Sequence, residues 1–505
     1  MRIFQAGQVC HNAAPREERN KSMTVAAALT NGKSIHVGVL SGMTALDPRD
    51  ATDNVTGMIL GQIYEPPYAM SAGSTSAVPR LVAGPLRPEP STPGRPVYSA
   101  AVRPDVVFSD GTPLTAELMA RSLRGSSVLH NKAEVDSRGD RVFFTLSGPN
   151  PRFELTLTQD NCAIVLERGG QLLGTGPFAF AQRPTLHTLQ AGHAIVLQRN
   201  PHAAKRSVDE VVFRVYPAEK DGSPTALAEA FRRGEVDLTS TLSLHEIARY
   251  GLTHVQPSLQ PGNSTGILYF NTRRVADRTV RRAIATAIDL HKIAECCFEK
   301  NPMAFVATSL LPPMMGRTTG VPHQSATEAK RLFDEAGPKK PRRLSLLVPW
   351  GPRPYLPKPM LVAQSMRQQL AAFDITIDLL ETPTADRFFT DLAAGHYDLA
   401  LGGWIADTPD PADYYEALLW SKMADGEYHS NDSQWRDAAT DAALQRFRQD
   451  PTEANRAELF RIVHDEAPLL PLVYGQSVVV HTRKVRNVTV TPTGVISLGA
   501  AALVD

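Results

Sequence analysis

A chain of 505 residues is too long for one hydrophobic core and calls for roughly two to four domains. With 42% hydrophobic and 21% charged residues it is not a predominantly disordered polymer. Its 53 Lys and Arg against 52 Asp and Glu leave a net charge of +1 with no basic block, which excludes a nucleic-acid or anionic-membrane partner read from charge alone.

The N-terminal 33 residues carry no export signature. A secretory leader needs an apolar run of about 7 to 15 residues, and Val25 to Leu29 is shorter. Cys10 follows Ala6-Gly7-Gln8-Val9, without the apolar run of a lipoprotein signal. No stretch approaches the ~20 apolar residues of a membrane span. As written, the chain reads as one that stays in the cytoplasm, with residues 1–33 as a disordered leader. The four cysteines, Cys10, Cys162, Cys296 and Cys297, are too few for a disulfide framework and lack zinc-ligand spacing.

From Ser34 the pattern is α/β. Ile35 to Leu40 is a β-branched run, and Thr56 to Tyr64 has helical spacing. Residues 71–95, rich in Pro, Ser and Gly, read as loop. Asp105 to Leu123 gives a strand, an Asp110-Gly111 turn and a helix capped by Thr115. Strands follow at Arg141 to Leu146, Ala163 to Leu166, Ala194 to Arg199 and Val208 to Tyr216, with Gly174 to Phe180 as a glycine-rich crossing. Leu227 to Arg233 is a helix stopped by Gly234. In the second half, Thr265 to Asn271 is a strand and Val280 to Ile293 one amphipathic helix. Helices at 326–336 and 360–372 alternate with strands at 344–348 and 375–380.

The stretch Tyr397 to Leu419, YDLALGGWIADTPDPADYYEALL, concentrates the chemistry. It reads as a buried strand, Leu399-Ala400-Leu401, that stops at Gly402-Gly403 and delivers Trp404 and Asp407 onto a loop before a helix begins. Pro409 and Pro411 forbid a continuous helix. A ligand loop at the carboxyl end of a strand has this layout; so does a turn in which Asp407 caps its own backbone and Trp404 is core. Asp407, Asp410 and Asp413 read as a solvated, turn-capping cluster.

FSDGTPLTAE (108–117), GTGPF (174–178), GEVDL (234–238), YFNT (269–272), VRRAIATAID (280–289) and GWIADTPDP (403–411) stand in the order and near the spacing of the family 5 extracellular solute-binding proteins, the peptide and nickel receptors of ABC importers. The chain resembles that family from about Ser34 to its C-terminus. The resemblance implies a two-lobed periplasmic-binding-protein-like α/β fold (type II, cluster C), with the ligand enclosed between lobes. It places lobe I at 34–261 with a small subdomain at about 70–172, lobe II at 262–474, and a return to lobe I at 475–505. The stretch between Arg124 and Gly174 is shorter than in the family, which implies a reduced subdomain.

Within the family the chain looks most like dipeptide-binding receptors. The segment VPWGPRPYLPKPM (348–360) is similar to the loop bearing their carboxylate-binding arginine, so the resemblance assigns Arg353 to a peptide carboxylate, Asp407 to its ammonium, and Trp404 and Tyr355 to the pocket wall. A guanidinium fork and an enclosed carboxylate suit those groups. In this reading the protein is a monomer that binds a short peptide or an amine-bearing small molecule, partners an ABC permease, and uses no cofactor and no metal.

No GxSxG elbow, HExxH or P-loop occurs, so nothing names an enzyme. One alternative keeps the fold inside the cell, where a closing cleft binds or cyclises a hydrophobic metabolite. The importer reading places the protein outside the cytoplasm, with its signal encoded upstream of the start.

Overall fold

A computed structural model describes residues 33–504 apart from 52, 71–75, 183–193, 204–207, 220–222, 243, 299–301, 316–323, 352, 407, 409, 426–428 and 491–494. The expected leader thus lies outside the described residues, except for Lys33. The chain folds into two α/β lobes and a small subdomain. Their strands are tied by ten members of one hydrogen-bonded sheet, in the order Phe178–Phe180, Ala194–Arg199, Glu210–Val215, Ser34–Val39, Leu238–Thr239, Leu469–Thr482, Val255–Phe270, Leu399–Ile405, Arg343–Val348 and Thr376–Glu381.

Two long strands make the crossing. The first half of Val255–Phe270 pairs with the second half of Leu469–Thr482, which also meets Leu238–Thr239 of the first lobe. Its second half pairs with Leu399–Ile405 of the second lobe, from Ser264↔Ile405 to Phe270↔Leu399. The ladder between the long strands shifts register between Pro261 and Thr265, opposite Gln476 and Tyr474. A register shift of this kind bends paired strands.

Side-chain period two explains the second lobe's two cores. Along Val255–Phe270, Leu268 and Phe270 enter one core with Leu346, Val348, Leu399 and Leu401. Ile267 and Tyr269 enter the other with Leu347 and Ala400. Both faces are covered, which is why these strands read as continuous apolar runs. The first lobe packs Ile35, Val37, Ile59, Leu60, Val211 and Phe213. The GTGPF motif lies against its helix Asn54–Leu60. A Cβ at Gly174 would stand 2.0 Å from the Ile63 carbonyl oxygen and one at Gly176 2.6 Å, so only glycine admits this approach.

The subdomain is a four-stranded antiparallel sheet, Arg87–Thr92, Arg95–Ala101, Arg141–Leu146 and Ala133–Arg138 in spatial order, under helix Ala116–Arg124. Thr115 caps that helix through the Leu118 amide at 3.2 Å, and Met119 and Leu123 meet Val142, Phe144 and Leu146 in one core.

Three readings are corrected. The proline-rich 71–95 is not all loop: it holds strands Ala77–Pro79 and Arg87–Thr92. The second is an edge strand with a register shift after Glu89, and both features tolerate Pro88 and Pro90. The helix expected over 280–293 is two, Arg278–Ala287 and Leu290–Cys297, because Asp289 caps the second by accepting from the His291 and Lys292 amides. The strand at 399 does not stop at its glycine pair but runs to Ile405, so Trp404 sits on the strand.

Buried Arg281 of VRRAIA sends Nη2 to the Glu466 carbonyl at 2.7 Å and Nη1 to the Ala276 carbonyl at 2.7 Å. It satisfies orphan carbonyls at the end of helix Glu453–Glu466.

Candidate functional site

The strand Leu399–Ile405 ends at the hinge. Ala406 donates its amide to the Asn263 carbonyl at 2.8 Å, and Asn263 Nδ2 returns to the Ala406 carbonyl at 3.1 Å. Tyr414 Oη donates to the Trp404 carbonyl at 2.9 Å. Trp404 is thereby held at the rim of a cavity of about 390 Å³, whose opposite wall is Ser127, Asn131, Lys132 and Gln159 of the subdomain.

Arg353 and Tyr355 sit on a tight turn closed by reciprocal backbone bonds between Arg353 and Leu356, 3.0 Å each. The turn lies flat on three neighbouring strands, and glycines make room for it. A Cβ on Gly403 would stand 2.4 Å from Tyr355 Cδ2, and one on Gly475 2.9 Å from the Pro354 carbonyl oxygen. Tyr355 thus covers the residue beside Trp404. Burial raises the Tyr355 phenol above its ordinary range, partly offset by Arg353.

The Arg353 guanidinium stacks on Trp350 with its central carbon 3.4 Å from the ring centroid. Its Nε is buried without a hydrogen-bond partner, and burial lowers its basicity. Among the described residues no carboxylate forms an ion pair with it. The structure therefore sets Tyr355 over Gly403, on the face of the strand opposite the Trp404 side chain, and neither Arg353 nor Tyr355 lines the two interlobe cavities. Asp407 lies outside the described residues.

The other aspartates differ from their expected solvated cluster. Asp410 does cap helix Pro411–Leu419, through the Ala412 amide at 3.0 Å, but it is buried. Arg448 joins it at 3.3 Å, Asp413 at 2.6 Å and Glu416 at 2.8 Å. Arg152 of the subdomain stands 3.8 Å from Asp410, across the cleft. Burial together with Asp413 raises the Asp410 carboxyl. Burial also pushes Asp413 up, but Arg448 and Lys132 outweigh it and hold Asp413 below the usual carboxylate range. Sequence reasoning missed Arg448, which arrives from a helix 35 residues on.

A larger cavity of about 700 Å³ lies between the lobes, with Asp53, Gly57, Arg80 and Asp160 on one side and Asn263, Ile405 and Ala406 on the other. Sequence reasoning named none of the first group as ligand-facing. Among the described residues no three His, Cys, Asp or Glu side chains are placed to hold a metal ion. No described helix is long and apolar enough to cross a membrane.

Two lobes joined by two long strands, with cavities between them walled by both, give the architecture of a two-lobed binding-protein fold. The family model for bacterial extracellular solute-binding proteins, family 5, matches residues 92–424, more than half of the chain, and the protein belongs to that family. Its relatives include di/tripeptide-binding protein 4 of Pseudomonas aeruginosa (strain UCBPP-PA14), 25% identical over 335 residues, 64% of this chain. The chain spans about 60% of that relative's length. Among solved structures, HbpA2 from Haemophilus parasuis is similar with a TM-score of 0.80 at 21% identity, covering 94% of this chain and 100% of its own. The dipeptide-binding protein of Pseudoalteromonas sp. SM9913 in complex with Met-Leu is similar with a TM-score of 0.69 at 19% identity, over 94% of this chain and 100% of that one.

Proposed function

We propose that the protein encloses a short peptide or amine-bearing small molecule between its lobes and serves as the receptor of an ABC importer. Arg353 takes the ligand's carboxylate, Asp407 takes its ammonium, and Trp404 and Tyr355 wall the pocket. The observation that carries this reading is the state of Arg353. A guanidinium stacked on an indole, with Nε buried and unpartnered, has given up a hydrogen bond to water at that atom without gaining an anion among the described residues, a cost that a ligand carboxylate would offset. Lobe I comprises 34–261 and 475–505, with the small subdomain at about 70–172, and lobe II comprises 262–474. The register shift after Pro261 supports a hinge at these borders.

Calorimetry with a dipeptide panel on the wild type, Arg353→Ala and Asp407→Ala tests the site. Removing a desolvated charge partner should weaken binding by roughly 2 to 5 kcal/mol. Binding of a genuine ligand by both variants as tightly as by the wild type would overturn the assignment. A receptor of this kind works outside the cytoplasm as a monomer beside its permease. Fractionation of cells expressing the gene with its own upstream DNA checks the location, and wholly cytosolic recovery would exclude the importer role.

A further inference from the structure

The interlobe cavity of about 700 Å³ is lined by three charged side chains, Asp53, Arg80 and Asp160. Two are engaged. Asp53 caps helix Asn54–Leu60 through the Thr56 amide at 2.9 Å and accepts from the Thr44 and Thr56 hydroxyls at 2.5 and 2.6 Å. Arg80 pairs with Glu65 at 3.0 Å. Asp160 stands apart, because no donor among the described residues lies within hydrogen-bond distance of its carboxylate. Its Oδ2 faces Gly57, where a Cβ would come within 3.3 Å.

The neighbouring residue repeats the pattern with the opposite polarity. Gln159 lines the cavity as well, and its Nε2 is buried without a hydrogen-bond partner. Unmade hydrogen bonds on buried polar groups cost free energy, and native structures keep few of them. The Gln159 amide is one such group, and beside it the half-buried Asp160 carboxylate lines the same cavity; a donor and an acceptor on consecutive residues are the complement of a ligand carrying a cation beside a carbonyl. The turn that presents them is fixed. Asn161 Nδ2 donates to the carbonyls of Pro48, Arg49 and Ala51 at 3.3, 3.1 and 3.3 Å, and Ala163 closes the turn onto the Asp160 carbonyl at 3.0 Å. Burial pushes the Asp160 carboxyl up to about 6, with Arg80 pulling the other way.

We propose that Asp160, with the Gln159 amide beside it, is a second cation-binding subsite on the subdomain wall of the cleft, taking a protonated amine or guanidinium of the ligand. The inference rests on the reading of the cleft as the ligand enclosure. With Asp407 assigned to the ligand's first ammonium, Asp160 selects ligands with another positive group, such as a Lys side chain.

The test measures binding of Ala-Lys and Lys-Ala, of their norleucine counterparts and of 1,4-diaminobutane to the wild type and to the near-isosteric Asp160→Asn, with thermal melting to confirm folding. A charge-assisted hydrogen bond in an enclosed site should favour a lysine peptide over its norleucine counterpart by at least about tenfold. Asp160→Asn should erase that preference while keeping the norleucine affinity. A wild type without the preference, or a variant that retains it, overturns the subsite and leaves the peptide reading standing. Binding of the diamine alone, lost in Asp160→Asn, keeps the subsite and overturns the peptide reading. A wild type that binds none of the probes overturns both.

Discussion

Around the start of helix Pro411–Leu419, three carboxylates converge on one guanidinium. Around the 353–356 turn and the 159–161 turn, an arginine and an aspartate are half-buried and form no ion pair among the described residues. Both regions remove charge from water, yet they do different work. In the first, Asp410, Asp413 and Glu416 are each within 3.3 Å of Arg448, so the desolvation is offset internally and the helix is locked to its neighbour Ala438–Gln449. In the second, no ion pair among the described residues supplies that offset. Of Arg353 and Asp160, only Asp160 lines an interlobe cavity, the placement that a ligand-facing charge requires.

The comparison is sharpest if one side can be converted into the other. Arg448→Met strips the guanidinium that pairs with Asp413 and Glu416 while preserving the stem's packing, and should destabilise the protein by about 3 to 5 kcal/mol in urea unfolding. Ligand affinity should change little in the fraction that remains folded. A loss under 1 kcal/mol would mean that the network is no more structural than the unpaired groups.

A second probe uses a buried carboxylate in the second lobe. Asp432 is pushed up to about 8 by burial, with His429 Nε2 3.9 Å from its Oδ1. A carboxyl raised in the folded state binds its proton more tightly there than in the unfolded chain. Its contribution to stability is therefore lost as pH rises from about 4 to about 8. Asp432→Asn should flatten that slope, melting nearer to the wild type at pH 5 and above it at pH 8. An unchanged slope would show that the carboxylate is compensated after all.

Smaller effects test how the 353–356 turn is held. Gly403→Ala drives a methyl to within 2.4 Å of Tyr355 Cδ2 and 2.5 Å of the Thr265 carbonyl oxygen. It should cost roughly 1 to 3 kcal/mol of stability by overpacking. Because Arg353 shares the displaced turn, ligand affinity should fall as well, and unchanged calorimetry would separate Arg353 from this packing. Tyr414→Phe removes the hydrogen bond to the Trp404 carbonyl and should cost about 1 kcal/mol in chemical denaturation.

Where a structural cause spans only a few residues, it was legible in the chain. Thr115 announces its helix because the capped amide is three residues away, and the alternating apolar residues of Arg141–Leu146 announce a half-buried strand. The same proximity explains one error. Asp289 is a local cap whose pull on the next two amides outweighs the helical period on either side of it, and the period alone was read.

The site was legible only in part. Trp404, Tyr355 and Arg353 were named from motif resemblance, but nothing near them in sequence shows that Gly403 and Gly475 exist to admit the Tyr355 turn. Asp410 and Asp413 looked solvated because their cation lies 38 and 35 residues away. Asp160 was not singled out, because no neighbour in the sequence marks its carboxylate as facing a cavity.

By itself, then, the sequence determined the alternation of helices and strands, most caps and the family. These depend on backbone hydrogen bonds and apolar periodicity within a few residues. The tertiary structure alone decided which charges are paired and which are left facing a cleft. Desolvation and ion pairing act through space, between groups as far apart in the chain as Arg152 and Asp410, and no local pattern records them.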